Sequence, residues 1–370
     1  MTQALPDIVR TIAAFVVVLG VLVFVHEFGH YWVARLCGVR VEVFSIGFGR
    51  TLYQWTDKVG TVWKLSLLPL GGYVKLHGQE RPEDVSDEVR ASWIAGQTFH
   101  DKPLVSRAAV VAAGPIANFL LAAVLFMALF LAVGMPTTAP VVGEVVVGAA
   151  ADKAGFLAND RIESIDGTPI ANFEDITKIV APRPNTKVDV VVVRDGARKV
   201  LPVTIGARTE GGRSFGLLGI RSGRIEYAQV GVVDALTGGF VKTWRVAAET
   251  FSGLGQILTG QRGTDELGGP LRIAQLSGEV AKYGIASLIS FIAVLSVNLG
   301  LLNLMPIPVL DGGFLLLYLF EAIFRRPIPP KIQEYGFGAG FAVVIMLITF
   351  ATWNDLSHFG LWRWLSGNAG

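Results

Sequence analysis

The residues best suited to metal chemistry lie near the amino terminus, where His26, Glu27 and His30 form an H-E-x-x-H motif. Residues four apart share one face of a helix, so both imidazoles could bind one metal ion with Glu27 beside them. The motif ends an uncharged apolar run from 12 to 25, and ionisable groups are costly to bury in a membrane helix. We therefore predict a functional metal site with zinc as the candidate ion. The alternative is a set of satisfied polar residues at a membrane surface.

A catalytic zinc site commonly has three protein ligands and an open position for water, so one further ligand is expected. The other histidines all lie outside the apolar segments: His77, His100 and His358. Asp311 directly follows a long uncharged stretch, and Pro306 and Pro308 just before it cannot sustain an ordinary helix. A broken helix at membrane depth marks a binding site. Asp311 is therefore the predicted third ligand, and a solvated aspartate at a helix end is the alternative.

The composition is that of a membrane protein with a soluble part attached. Of the 370 residues, 52% are hydrophobic and 17% charged, and the mean hydropathy is +0.51. The net charge of +2 comes without a basic cluster, so no nucleic-acid partner is expected. Cys37 is the only cysteine, which excludes an intramolecular disulfide and a cysteine-based zinc site.

Four segments are apolar and long enough to cross a bilayer, which takes about 20 helical residues. They are residues 8–36, 108–133, 285–310 and 335–353. The first carries Arg10 near its start and so resembles a signal peptide. No small-residue cleavage site follows and the metal motif stands in its place, so we expect the segment to be retained.

Lysines and arginines in the short loops predict the orientation in the membrane. The loops between the first two spans and before the fourth are rich in these residues, so both are expected in the cytoplasm. The terminal segments, with Arg10 and Arg363 only, would lie outside. The long insert between the second and third spans would also lie outside, because long domains translocate largely regardless of charge. The metal motif would then face the cytoplasm.

Residues 41–55 and 61–76 alternate apolar and polar side chains and are punctuated by glycines. This pattern predicts two β-hairpins, which we place at the membrane boundary beside the metal motif. An exposed strand there could hold an extended substrate as an additional strand, and a purely structural sheet is the alternative. Residues 79–102 are polar and predict a loop with a short helix.

The insert has the pattern of a small soluble module between 140 and 221. Its predicted strands and helices, in chain order, are strand 141–147, helix 149–154, strand 161–165, helix 173–180, strand 188–194 and strand 199–205. No catalytic set of side chains falls in this module, so its expected role is binding. Residues 232–258 predict an amphipathic helix that either lies on the outer membrane surface or packs on the soluble module.

Five segments together resemble the site-2 protease family of intramembrane zinc metalloproteases, and they occur in the family's order. They are His26-Glu27-Phe28-Gly29-His30, Phe44-Ser45-Ile46-Gly47-Phe48-Gly49, Pro69-Leu70-Gly71-Gly72-Tyr73-Val74-Lys75, Gly114-Pro115-Ile116-Ala117-Asn118 and residues 303–312. The insert resembles a PDZ domain of the permuted bacterial type. In that comparison the carboxylate-binding loop comprises Gly216, Leu217, Leu218, Gly219 and Ile220.

The resemblance implies a peptidase that cuts within transmembrane segments, with one Zn²⁺ per chain. His26, His30 and Asp311 correspond to the zinc ligands and Glu27 to the catalytic base. The family also holds its substrate along a membrane-associated β element and through residues of the core helices. The corresponding residues here are Gly47, Phe48, Gly49, Asn118, Asn298, Asn303, Pro306 and Pro308.

The implied substrates are single-span membrane proteins such as anti-sigma factors, with remnant signal peptides as a second class. The implied setting is the lipid bilayer of a bacterial inner membrane, with the PDZ-like domain in the periplasm and the active site towards the cytoplasm.

Two departures from the family pattern stand out. Members commonly carry two tandem PDZ domains where residues 140–221 hold one, which predicts different filtering of substrates by ectodomain size. Phe314 stands where a histidine is frequent, which predicts tuning of the site.

The predicted fold is a multi-pass α-helical membrane protein with about four transmembrane helices, a membrane-associated β-hairpin element and an inserted α+β PDZ-like domain. Its predicted domains are residues 1–134, with the zinc-binding helix and second span; 135–222, the PDZ-like domain; 223–284, a juxtamembrane helical region; and 285–370, with the third ligand and last span.

Two other functions stay open: a non-catalytic membrane PDZ scaffold with a structural metal site, and a divalent-metal transporter. A transporter would need polar residues along several spans, and the sequence lacks them.

Overall fold

The computed structural model describes residues 4–80, 85–210, 213–223, 225–261, 263 and 268–358. Arg363, which entered the prediction of orientation, lies outside the described residues. The chain divides into two compact units. The first combines Met1–Leu129 with Leu236–Gly370, and the second is Phe130–Ala235.

The helices, in chain order, are α1 (Ala4–Leu36), α2 (Asp87–Ala91), α3 (Leu104–Ala132), α4 (Ala150–Lys153), α5 (Phe173–Val180), α6 (Val232–Leu258), α7 (Pro270–Lys282), α8 (Ile285–Asn303), α9 (Asp311–Phe324) and α10 (Pro330–His358). The strands are β1 (Val41–Thr56), β2 (Val62–Leu76), β3 (Met135–Thr138), β4 (Val142–Val145), β5 (Arg161–Ile165), β6 (Thr168–Pro169), β7 (Lys187–Arg194), β8 (Ala197–Thr204), β9 (Gly206–Glu210), β10 (Arg213–Leu217), β11 (Ile220–Ser222) and β12 (Ile225–Ala228).

Four of these helices, α1, α3, α8 and α10, are long and apolar enough to cross a membrane, as predicted. The predicted third span of 285–310 ends earlier, because α8 stops at Asn303 and a turn follows before α9 begins at Asp311. Pro306 and Pro308 lie in that turn, where neither can donate a backbone hydrogen bond to a helix. The break that the sequence predicts therefore separates two helices.

Helix α7 packs against both α1 and α10, which lie near opposite ends of the chain. Gly278 of α7 lies against Thr11 of α1 so closely that a β-carbon at position 278 would overlap the threonine side chain. The start of α7 is capped by Asp355 of α10, a buried residue whose carboxylate accepts hydrogen bonds from the backbone N–H groups of Gly269 (2.9 Å) and Leu271 (3.1 Å). Such a carboxylate satisfies N–H groups that a helix leaves unpaired in its first turn.

Helix α6 has the predicted bounds and contacts two other helices of the first unit. A β-carbon on Gly239 would lie 2.5 Å from the carbonyl oxygen of Ala123, so α6 and α3 are in backbone contact. The Thr250 hydroxyl donates a 2.9 Å hydrogen bond to Asn298 Oδ1 on α8. Helix α6 therefore packs on two of the spanning helices, partners that were not predicted. A small residue at the crossing allows that approach, as is common in membrane helix pairs. Its location at the outer membrane surface or on the soluble module stays a prediction.

Strands β1 and β2 form one antiparallel sheet instead of the two predicted hairpins. Residues 53–56 pair with residues 62–65 across the intervening turn, whose Asp57 carboxylate accepts from the Thr61 N–H at 2.9 Å. Residues 43–46 have partners on two sides, in 62–65 and in 72–75. Irregular register bends the two strands so that four short arms share one sheet.

The second unit contains a four-stranded sheet in the order β6-β5-β7-β8 and three two-stranded pairs. Its core is built from β-branched residues of the sheet, such as Ile162 and Val190, and from Ile176 of α5. The strands and helices predicted between 141 and 205 are present, with ends that differ by one or two residues. The pairing of β3 with β12 was not predicted, because strands of four residues carry little periodicity.

A buried ion pair stabilises the second unit. Asp160 is 0% exposed, and its carboxylate accepts 2.7 Å hydrogen bonds from Nε and Nη2 of Arg194. The Leu157 N–H donates to the same carboxylate at 2.8 Å. Burial alone would raise the pKa of Asp160, but the hydrogen bonds from Arg194 and Leu157 outweigh it and hold the pKa below its ordinary value.

Candidate metal centre and cleft

Three ligand atoms from α1 and α9 converge on one point. The Nε2 atoms of His26 and His30 are 3.3 Å apart, and Asp311 Oδ2 lies 3.2 Å from the first and 3.5 Å from the second. All three side chains are largely buried. Among the described residues, Asp311 Oδ2 has no donor in hydrogen-bonding geometry although it is buried. A buried carboxylate oxygen that faces two imidazole nitrogens without such a bond is typical of a ligand.

The spacing of these atoms fits a zinc ion. Tetrahedral zinc with bonds of about 2.0–2.1 Å holds its ligand atoms roughly 3.3–3.4 Å apart, and the three observed separations are 3.2, 3.3 and 3.5 Å. Two imidazoles and one carboxylate are a donor set used by catalytic zinc. His26, His30 and Asp311 could therefore hold one zinc ion and leave its fourth position free.

Helix α3 supports both histidines from one side. His30 Nδ1 lies 2.8 Å from the Val110 carbonyl oxygen, to which it donates, and this leaves the Nε2 lone pair available. Gly114 lies beneath the rings: a β-carbon there would overlap His30 Nε2 and lie 2.8 Å from His26 Cε1. Gly29 of α1 makes the reciprocal approach, because a β-carbon at position 29 would overlap the Ala113 carbonyl oxygen. These contacts bring α3 close enough to orient the imidazoles.

The turn between α8 and α9 aims Asp311 at the histidines. Gly312 and Gly313 pack so tightly against this turn that a β-carbon on either would overlap a backbone carbonyl, that of Leu304 or of Ile307. Val309 has a φ of 93°, an uncommon conformation for a β-branched residue. Asp311 is the first residue of α9, where the helix dipole favours a negative charge.

Glu27 lines a cavity of about 1340 Å³ together with the three proposed ligands. A β-carbon on Gly72 of β2 would lie 3.0 Å from Glu27 Cγ, so the sheet reaches the side chain next to the histidines. A carboxylate beside an open metal position is placed to accept a proton from water. The cavity therefore contains the groups that hydrolysis needs.

The predicted substrate-binding residues of the helices occupy different positions around this cavity. Asn303 lines it. Asn118 is buried behind His26, and Asn298 is hydrogen-bonded to Thr250 of α6. Pro308 packs against α10, where a β-carbon on Gly340 would overlap the Pro308 carbonyl oxygen. Pro306 is exposed and is not part of the lining. Of this group, the structure brings Asn303 to the cleft.

Strand β2, not β1, forms the sheet side of the cavity. Gly72, Tyr73 and Val74 line it, whereas Gly47, Phe48 and Gly49 are absent from the lining. Gly47 and Gly49 have positive φ values of 86° and 84° and lie where β1 bends. Phe48 is 45% exposed and stacks on Tyr73 with ring centroids 6.2 Å apart. A substrate contact by these three β1 residues stays a prediction.

Sequence reasoning missed several residues at the far end of the cavity. Arg107 of α3 donates a 2.7 Å hydrogen bond to Glu321 of α9 and lies over the ring of Tyr318. Phe314 of α9, which was predicted to tune the site, also lines the cavity and contacts Phe337 of α10, with ring centroids 5.1 Å apart. Arg107 precedes Gly114 by two helical turns and so shares its face, and Glu321 is a lone carboxylate in an apolar helix. These two signals could have identified the ion pair.

The predicted carboxylate-binding loop lies in the second unit. A β-carbon on Gly216 of β10 would overlap the Val180 carbonyl oxygen of α5. Leu217 ends β10, Leu218 is buried, and Gly219 has a φ of 78°. Ile220 begins β11, which pairs with β4 and, among the described residues, with no other strand. The loop therefore leads into a strand with one edge open.

Comparison with known proteins agrees with this geometry. Residues 14–347 match the family model described as peptidase family M50. The chain is 45% identical to a Rhizobium meliloti (strain 1021) protein named as a zinc metalloprotease, over 99% of this chain and 100% of that protein. It is 38% identical to the metalloprotease MmpA of Caulobacter vibrioides (95% and 96% covered). It is 32% identical to the regulator of sigma-E protease RseP of Escherichia coli (strain K12), over 94% of this chain and 98% of RseP. The chain therefore belongs to peptidase family M50, the site-2 protease family, and is a zinc metalloprotease.

Proposed function

We propose that this protein hydrolyses peptide bonds within the transmembrane segments of single-span membrane proteins. The observation that carries the proposal is the convergence of His26, His30 and Asp311 on one metal-sized point beside Glu27. This point lies in a cavity lined by residues of α1 and α3, two helices long and apolar enough to cross a membrane. A peptidase centre at that place could act on a substrate within the bilayer.

His26, His30 and Asp311 would hold the zinc ion, which supplies Lewis-acid activation of water and of the scissile carbonyl. Glu27 accepts the proton of the attacking water and then delivers it to the leaving amine. Asn303 lies on the cavity wall, where its amide could donate a hydrogen bond to a substrate carbonyl.

The substrate must be extended at the cut, because the carbonyls of a transmembrane helix are hydrogen-bonded within the helix and shielded. Pairing of the unwound segment with a strand would replace those hydrogen bonds. The position of Gly72, Tyr73 and Val74 on the cavity wall supports this role for β2. Phe48 and its flanking glycines would support β2 from the adjacent bend of β1.

The protein is an inner-membrane enzyme, and we place its second unit in the periplasm and its active site towards the cytoplasm. This orientation is supported by the lysines and arginines of the loop between α1 and α3. The relative RseP carries the name regulator of sigma-E protease, and on that ground we propose anti-sigma factors as one substrate class. The loop from Gly216 to Ile220, followed by the open edge of β11, would bind a peptide end as PDZ domains do.

The test is cleavage of a single-span reporter with a short ectodomain by the purified chain in detergent, with the products located by mass spectrometry. We expect the wild type to cut within the reporter's transmembrane segment. Glu27→Gln should bind about one zinc per chain, as the wild type does, and lose activity by a factor on the order of 10² to 10⁴. Cutting by Glu27→Gln at the wild-type rate would refute the assignment of the base.

A further inference from the structure

Asn118 is buried in the wrong place for contact with a substrate. Its side chain is 0% exposed, and its amide Nδ2 lies 3.1 Å from His26 Nδ1, on the side of the ring away from the metal point. The Ser296 hydroxyl, also 0% exposed, donates a 2.8 Å hydrogen bond to the Asn118 backbone carbonyl. This bond ties α3 to α8 at Asn118. The amide is therefore held against His26 and away from the cavity.

The amide's orientation is coupled to the tautomer of His26. With Nδ2 facing the ring, the amide donates and Nδ1 accepts, so a neutral His26 carries its proton on Nε2. A metal bound through Nε2 needs the reverse, a proton on Nδ1 and an acceptor in front of it. Asn118 Oδ1 is such an acceptor, and among the described residues it is buried without a hydrogen-bond partner. A half-turn of the amide would place Oδ1 against Nδ1.

We propose that Asn118 is a positioning residue for the metal centre: its side-chain oxygen accepts the hydrogen bond from Nδ1–H of His26 and thereby presents Nε2 to zinc. This inference rests on the proposed role of His26 as a ligand. It assigns to Asn118 a role different from the substrate contact that the family resemblance implies.

The second proposed ligand, His30, also has a hydrogen-bond acceptor for its Nδ1 on α3. His30 Nδ1 has its acceptor in the Val110 backbone carbonyl, which also belongs to α3. One helix thus supplies acceptors to both ligands, from its backbone for His30 and from a side chain for His26. The side-chain acceptor is the one that substitution can remove. Loss of such a supporting partner typically weakens metal binding about 10- to 100-fold.

The experiment measures the zinc affinity of the full chain in detergent by competition with a chelator, for the wild type, Asn118→Leu and Asn118→Asp. Leucine keeps the approximate size of asparagine but removes the acceptor, so we expect affinity to fall about 10- to 100-fold. Aspartate keeps an oxygen that can accept from Nδ1–H, so its affinity should stay within about threefold of the wild type. Asn298→Ala, on the neighbouring helix, is the matched control and should bind zinc as the wild type does.

A second readout is the absorption spectrum of the cobalt-substituted protein, which reports ligand geometry. It should change in Asn118→Leu and not in Asn118→Asp. Wild-type zinc affinity in Asn118→Leu, with cleavage lost, would overturn the positioning role and restore the substrate contact. If Asn118→Leu fails to fold, an Asn118→Asp affinity more than tenfold below the wild type would overturn it too. A wild type that binds no zinc would instead overturn the proposed function itself.

Discussion

His26 Nε2 lies 3.2 Å from Asp311 Oδ2, although the two residues belong to opposite ends of the chain. The contact joins α1 to α9, and neither helix creates it alone. Helix α3 fixes the histidine rings through Val110 and Gly114, and the turn before α9 aims the carboxylate. The metal centre is therefore a product of helix packing, and changes in that packing should alter metal binding.

Gly114→Ala is expected to displace both imidazoles, because the added β-carbon would overlap His30 Nε2 and crowd His26. Zinc affinity should fall by at least tenfold, and reporter cleavage should fall with it, since a displacement of one ångström at a reacting centre can cost about 100-fold in rate. Zinc content and cleavage are both measured on the purified chain.

Gly20→Ala is the matched control, because it adds the same methyl group to α1 at a position with nothing within 4 Å. It should leave zinc content and cleavage unchanged. Normal zinc binding by Gly114→Ala would show that α3 does not orient the histidines.

A second pair of glycines tests the contact between α10 and the turn that carries Pro308. Gly340→Ala places a β-carbon into the Pro308 carbonyl, whereas Gly338→Ala, half a turn away, points into open space. Overpacking of this kind costs roughly 1–3 kcal/mol. We expect a lower thermal midpoint in detergent for Gly340→Ala and no decrease for Gly338→Ala, and equal midpoints would contradict the packing.

The stability of the second unit should depend on the ionisation of Asp160. The pKa of Asp160 is lowered in the folded state because the hydrogen bonds from Arg194 outweigh the effect of burial. The stabilisation is therefore complete above the unfolded-state pKa of about 3.9 and is lost as the pH falls through the lower folded-state value. Asp160→Ala should cost about 1–2 kcal/mol at pH 7, since it removes the acceptor of the hydrogen bonds from Arg194 and Leu157, while Arg194 keeps its bond to the Gly155 carbonyl.

Hydrogen exchange in β7 of the full chain, compared at pH 7 and below pH 4, measures this effect. Glu144→Gln is the control, because the pair of Glu144 with Arg221 is exposed and should contribute at most about 1 kcal/mol. Equal protection of β7 in Asp160→Ala and the wild type would contradict the role of the buried pair.

The sequence was most informative in segments where one helical or strand pattern, or an unbroken run of apolar residues, dominates. The four-residue spacing of His26 and His30 predicted a shared helix face, and the prolines before Asp311 predicted the helix break that puts a carboxylate beside them. The spanning helices follow from uncharged apolar length, and the second unit's sheet follows from short β-branched runs separated by turn residues such as Asp195-Gly196. In each case a local pattern was sufficient.

Contacts between distant segments could not be predicted in this way. The position of Asn118 behind His26 depends on the crossing of α1 and α3. Gly29 and Gly114 allow the two helices to approach closely, but their presence in the sequence does not predict which helices cross there. The apolar stripe of α6 indicated an amphipathic helix but not its partners, α3 and α8. The bends of β1 and β2 depend on register, which alternation alone leaves undetermined when strands are long.

Whether α1 and α9 jointly hold one zinc ion is tested by comparing the zinc content per chain of Asp311→Ala with that of Glu27→Gln. Both variants remove a carboxylate from the same cavity, but only Asp311 is proposed as a ligand. We expect about one zinc per chain in Glu27→Gln and a large loss of zinc in Asp311→Ala after dialysis against a chelator. Equal, full zinc content in Asp311→Ala would contradict this expectation, because the third ligand would then have to come from another residue.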